Sequence, residues 1–246
     1  MSRAGWITAV LFAASVPLFL VTASVTWAFN DAGVYHRGFQ KYQVSATTGI
    51  NPADLRQVAA DLRNYFNSKE EPLLVRTRVF DVEQDIFGRR EVLHMRDVKR
   101  LVWWVYAVAA LTGLYLMAAT ATDFVYRRHQ FATMLARRLL WGGGLTMALV
   151  LAVGLFALAG FDALFLKFHQ LSFSSGSFQF DRQKDYLVIL FPQGFWFDAT
   201  MRVAFTTLAG ALVLFLVSGA YLLRHRRTGG KAAQEPFTTL EEAGEA

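Results

Sequence analysis

Four long apolar stretches dominate the chain. Trp6–Phe29, Leu101–Thr122, Leu139–Phe161 and Val203–Leu223 run for 24, 22, 23 and 21 residues without an Asp, Glu, Lys or Arg. About 20 apolar residues in a helix cross the roughly 30 Å of bilayer hydrocarbon. A buried helix of a soluble protein keeps a polar stripe toward water, and none of these four has one. The pattern predicts an all-α transmembrane bundle of four helices. Its segments read as a first span over 1–29, a cap over 30–100, a second span over 101–122, a loop over 123–138, a third span over 139–168, a loop over 169–202, a fourth span over 203–223 and a polar tail over 224–246. Arg3 gives the first stretch a basic start, but its apolar run exceeds the ~7–15 residues of a signal-peptide core, so it is expected to stay as a span.

Between the first two spans the polarity becomes periodic. Asn51-Pro52 is the pairing of an N-cap with Pro in the first turn, and Leu55, Val58, Leu62, Tyr65 and Phe66 follow at helical spacing. An amphipathic helix through Asn67 is expected, lying on the membrane surface or on the bundle. Leu73–Phe80 reads as extended, with Arg76 and Arg78 at alternate positions. Gly88 marks a turn, and from Glu91 the chain feeds helically into the second span. The whole predicts a small mixed α+β cap. In the second large loop, Ser172–Ser177 reads as a turn, Tyr186–Phe191 is too short to span, and Phe195, Trp196 and Phe197 suggest an interfacial belt. Asp198 or Thr200 is expected to cap the fourth span, and the tail from Thr228 is expected to be disordered.

Composition narrows the classes. The absence of Cys excludes disulfide frameworks, thiolate metal sites and a Cys acyl-enzyme. The formal charge of +6 is an orientation signal. Arg127, Arg128, Arg137 and Arg138 follow the second span, Arg224, Arg226 and Arg227 follow the fourth, and Arg3 precedes the first. An even number of spans puts all three groups on one side, which the positive-inside rule makes cytoplasmic. The cap and the 169–202 loop are then extracellular. No base-reading basic patch appears, so nucleic acid is not an expected partner.

The five histidines sort by side. His129 and His225 fall beside the arginine clusters and read as solvated, while His36 sits just past the first span. His94 lies seven residues before the second span, and His169 ends the third. Opposite chain directions bring these two to the same rim, where two imidazoles can act as an acid–base pair. Asp97, three residues after His94, shares its helical face. Asp162 is an acid at bilayer depth, two turns and about 10 Å before His169. There is no HExxH or G-x-S-x-G motif. A bland alternative is two interfacial histidines at headgroup level. A non-enzymatic membrane module, binding haem or quinone or docking through its cap, is the rival class.

Three segments carry a resemblance: VYHRGFQKYQVSATTGI at Val34–Ile50, EVLHMRDVK at Glu91–Lys99, and FDALFLKFHQLSF at Phe161–Phe173 followed by DYLVILFPQGFWFDA at Asp185–Ala199. In these the chain resembles the lipoprotein intramolecular transacylase (Lit) family of four-span bacterial integral membrane proteins, whose architecture also has a small outer cap. The resemblance implies a bacterial cell-membrane acyltransferase that moves the sn-2 acyl chain of a diacylglyceryl-cysteine lipoprotein onto that cysteine's α-amine, giving the lyso-form. It implies a catalytic dyad of His94 and His169, a diacylated lipoprotein and membrane lipid as partners, and no cofactor or metal. One imidazole frees the amine and the other protonates the leaving glycerol oxygen. The assignment favoured here gives His169 the base role and His94, oriented by Asp97, the acid role, with Arg96 or backbone amides on the oxyanion.

Overall fold

The computed structural model describes residues 3–173 and 178–232. Four helices carry the charge-free stretches: α1 (Arg3–Asn30), α5 (Arg89–Tyr126), α6 (Phe131–Ser172) and α8 (Gln193–Ala232). Each is long and apolar enough to cross a membrane. Between α1 and α5 lie α2 (Ala32–Lys41), α3 (Val44–Thr48), α4 (Pro52–Asn67) and the strands β1 (Arg76–Val79) and β2 (Val82–Asp85). The short α7 (Tyr186–Leu190) precedes α8.

Within the bundle α6 packs against α8 and α1, and α1 also packs against α5. Small residues permit this. A Cβ on Gly142 would lie 2.7 Å from Val16 of α1, and one on Gly143 would lie 2.9 Å from the Ala211 carbonyl of α8. Apolar helices gain nothing from leaving lipid for each other, so close backbone approach and dispersion hold them together. Thr146, fully buried at this level, donates to the Gly142 carbonyl of its own helix.

The cap forms over one end of the bundle, and its core is a separate hydrophobic cluster. The buried face of α4 (Leu55, Val58, Ala59, Leu62, Tyr65, Phe66) meets Tyr35 and Phe39 of α2 and Leu187 and Leu190 of α7. The helix begins as its cap chemistry predicts: the Asn51 side chain accepts from the N–H groups of Ala53 and Asp54. Its apolar stripe is turned into the cap core, and Phe66 packs edge-on to Phe29 at the top of α1. The extended run becomes β1, antiparallel to β2 through the two-residue turn Phe80–Asp81, with Thr77 and Val79 facing in and Arg76 and Arg78 out. Both turn residues have positive φ (47° and 66°), the geometry that matches strand twist in tight hairpins.

Two helical extensions carry spans into the cap. Helix α5 starts 12 residues before Leu101, roughly 18 Å further out, and buries Glu91, His94, Met95 and Lys99. Helix α8 starts at Gln193, so Asp198 and Thr200 lie inside it rather than capping it. Asp198 instead takes two bonds from Lys41 Nζ (2.8 and 2.6 Å) and one from the Tyr42 hydroxyl (2.9 Å), tying α8 to the end of α2. Phe195 is buried among Tyr35 and Phe191 rather than set in an interfacial belt. Helix α8 runs on to Ala232, so the expected disorder from Thr228 does not hold for its first five residues; the serine cluster at 174–177 and the rest of the tail from 233 lie outside the described residues.

Candidate active site

His94 and His169 meet. Their rings stack with centroids 6.2 Å apart and planes 16° from parallel. The first ring comes from the outer extension of α5. The second comes from the last turns of α6, whose helical geometry breaks at Gly160 (φ −173°, ψ 72°). That break sets the direction of segment 161–172 independently of the span below it.

The pair sits in an aromatic cage. Phe173 lies 4.8 Å from the His94 ring and 5.4 Å from that of His169. Phe180 lies 5.3 Å from His94, and Phe165 and Phe178 lie 4.2 and 5.4 Å from His169. Such rings exclude water and leave the imidazoles few polar partners. His169 has one: its Nδ1 is 2.8 Å from the Phe165 carbonyl. A carbonyl can only accept, so Nδ1 carries the proton in this bond and the lone pair of the neutral ring is on Nε2. His94 is 5% exposed, and its buried Nδ1 has no hydrogen-bond partner among the described residues.

The other residues singled out from the sequence lie further off. Asp97 pairs with Arg100 at 3.5 Å and makes no hydrogen bond to His94 among the described residues. Arg96 is exposed; two residues past His94 it projects about 200° around the helix. Asp162 accepts from Gln193 Nε2 at 2.6 Å, joining the outer arm of α6 to the first turn of α8, and does not touch His169. His129 and His225 lie toward the opposite end of the bundle.

Two residues that frame the site were not legible beforehand as site residues. Glu91 is 3% exposed, and both its oxygens accept backbone N–H groups: Gly88 at the start of its own helix (2.7 Å) and Leu187 of α7 (2.7 Å). Arg90 donates to the Gln179 carbonyl at 2.6 Å, its guanidinium 5.9 Å from the Phe180 ring. Both sit three or four residues before His94, on its side of the helix. That spacing was the available signal; their partners, roughly 90 residues away, were not. On the opposite flank, Lys99 donates to the Glu70 carbonyl (2.6 Å), pairs with Glu71 (3.5 Å) and lies over the Tyr65 ring. Burial, reinforced by a hydrogen bond to Glu71, pushes the Tyr65 phenol above its usual range, so it stays a donor. Among the described residues no three His, Asp or Glu side chains form a group able to hold a metal.

The family model described as lipoprotein intramolecular transacylase Lit matches residues 10–196, which include both histidines and the whole cap. The chain belongs to the Lit family. The solved structure of the membrane-integral Lit from Bacillus cereus is similar to it with a TM-score of 0.77, at 17% identity, over 93% of this chain and 100% of that one. A variant of that protein with one histidine replaced by arginine aligns with a TM-score of 0.70 at 16% identity, over 91% of this chain and 93% of that one. At these identities the likeness speaks for the fold: this is a multi-pass membrane protein with the Lit architecture. A protein of Aquifex aeolicus (strain VF5), described only as an uncharacterized protein, is 32% identical over 130 residues, 52% of this chain. The chain spans about half (55%) of that curated relative's length.

Proposed function

We propose that this Lit-family chain is an acyltransferase that moves the sn-2 acyl chain of a diacylglyceryl-cysteine lipoprotein to the cysteine's own α-amine, at the outer leaflet of a bacterial cell membrane. Family membership supports the reaction class. The observation that carries the mechanism is the stacked pair His94–His169, contributed by two different helices inside a water-poor aromatic cage. His169 serves as base. Its Nδ1–H is engaged by the Phe165 carbonyl, which leaves Nε2 to take a proton from the substrate amine. The freed amine attacks the ester carbonyl, the C–N bond forms and the tetrahedral oxyanion collapses. The proton taken by His169 passes to His94, whose charged form burial disfavours, and from there to the leaving glycerol oxygen. One ester is consumed and one amide formed, with no acyl-enzyme, since donor and acceptor belong to one molecule. Holding them together supplies the effective concentration that a bimolecular transfer lacks.

The outward orientation of the cap rests on the arginines at the other end of the bundle: Arg127, Arg128, Arg137 and Arg138 in one hairpin, Arg224, Arg226 and Arg227 near the end of α8. The two histidines then lie at the depth where a lipidated amino terminus holds its ester and its amine. The test is fragmentation mass spectrometry of a lipoprotein's N-terminal peptide from cells with and without this protein. The acyl chain is expected on nitrogen when the protein is present and on glycerol when it is absent, at constant total mass. An N-terminal peptide with its acyl chain still on glycerol in both strains refutes the reading.

A further inference from the structure

A cavity of about 920 Å³ opens in the half of the bundle away from the two histidines. All four spans line it: Phe12 and Val16 from α1, Leu116 and Phe124 from α5, Phe131 from α6 and Gly210 from α8. Leu116 and Phe124 lie 22 and 30 residues beyond His94, roughly 33 and 45 Å along the helix. Groups reacting at the dyad do not reach it. The Thr120 hydroxyl in its wall is already spent on the Leu116 carbonyl of its own helix (2.7 Å). Water needs two to four polar partners to stay in such a space, and these walls do not supply them. At bilayer depth the void is filled by hydrocarbon, whose contacts the lining otherwise forfeits.

The hairpin at the cavity's end says which hydrocarbon. Segment 123–138 holds four arginines and a single acid, Asp123. Arg138 and Asp123 pair in the protein interior, the Arg138 guanidinium 5.5 Å from the Phe12 ring at the cavity wall. Arg127 also leans on Asp123, at 3.6 Å. The one carboxylate is thereby shared, while Arg128, three residues before Phe131, and Arg137 are exposed. A guanidinium with no carboxylate partner among the described residues, at headgroup level beside an apolar slot, is complementary to a phosphate with a chain attached. We propose that an anionic phospholipid of the leaflet at this end seats one acyl chain in the cavity and its phosphate against Arg128. It is a second lipid site, distinct from that of the substrate.

The full chain in nanodiscs is cross-linked with phosphatidylglycerol bearing a diazirine in one acyl chain, or with phosphatidylcholine bearing the same chain, and the labelled peptides are mapped. Label is expected on residues 116–124 and 131–139, at least threefold more from phosphatidylglycerol. Arg128→Gln is expected to abolish that excess while leaving the label. Ala121→Phe with Ala209→Phe, which fills the cavity, is expected to remove the label. Label spread evenly over the lipid-facing surface, for instance around Leu155 and Phe156, overturns the proposal, as do equal yields from the two headgroups or a chain-to-chain cross-link through the cavity. Should the filled variant fail to fold, the map on the unaltered chain decides alone. None of these readouts depends on acyl transfer.

Discussion

The carboxylate of Glu91 accepts the backbone N–H of Leu187 at 2.7 Å. That bond fastens the second large loop to the helix that carries His94, one turn before it. The loop brings Phe180 against the His94 ring, and Arg90 seals the same seam from outside by holding the Gln179 carbonyl. Two side chains on one turn of α5 thus fix the lid of the aromatic cage.

Removing that carboxylate leaves two backbone N–H groups without partners, one of them buried. Glu91→Ala is expected to cost about 3 kcal/mol, since bonds to a charged acceptor contribute about 1.5–3 kcal/mol each and orphaned donors add their desolvation. Glu91→Gln keeps one acceptor and turns its amide NH2, a donor, toward the other N–H, so a smaller loss is expected. Thermal unfolding in detergent reads both; equal midpoints for all three proteins contradict the latch.

His94→Gln and His169→Gln are each expected to lower lyso-form production by about 10²–10⁴-fold, the range general acid–base groups supply. Thermal midpoints should stay near that of the unaltered protein. Full lyso-form production by either variant removes the dyad from the mechanism.

Arg90 and Arg96 separate bracing of the cage from stabilisation of the oxyanion. Arg96 projects away from the His94 face, whereas Arg90 lies on it beside Phe180. Arg96→Gln is expected to leave turnover within about twofold. Arg90→Gln frees the Gln179 carbonyl and the Phe180 side of the cage, and is expected to lower turnover by more than Arg96→Gln does. Initial rates on a synthetic diacylated lipopeptide distinguish them, and the reverse ranking restores Arg96.

The Asp123–Arg138 pair joins α5 to α6 at the end of the bundle away from the cap, both side chains being largely buried. Removing one partner strands a buried charge, which costs about 3–5 kcal/mol. Asp123→Leu alone is expected to destabilise strongly, and adding Arg138→Met is expected to recover most of the loss. A double variant as unstable as the sum of the singles shows that the two do not act as a pair.

Lys99 is the clamp between cap and span. Lys99→Met keeps the packing over Tyr65 but leaves the Glu70 carbonyl without its donor. An expected cost of about 1–3 kcal/mol follows from that unpaired acceptor. Faster hydrogen exchange over 65–75, with α6 and α8 unchanged, is the signature to measure; uniform change across the chain argues for general damage instead.

The sequence by itself determined the four spans, the capped amphipathic helix at Asn51–Asn67 and the placement of two histidines at one rim. Each follows from local physics: the length of hydrocarbon a helix must cross, the N–H groups its first turn exposes, and the reversal of direction between successive spans. Tertiary structure alone decided that Asp97 turns to Arg100 and Asp162 to Gln193, that Phe165 fixes the His169 tautomer, and that Glu91 and Arg90 brace the cage. Those partners are chosen by the break in α6 at Gly160 and by the folding of a loop some 90 residues downstream onto α5. No periodicity along the chain encodes which buried oxygen a distant N–H will find.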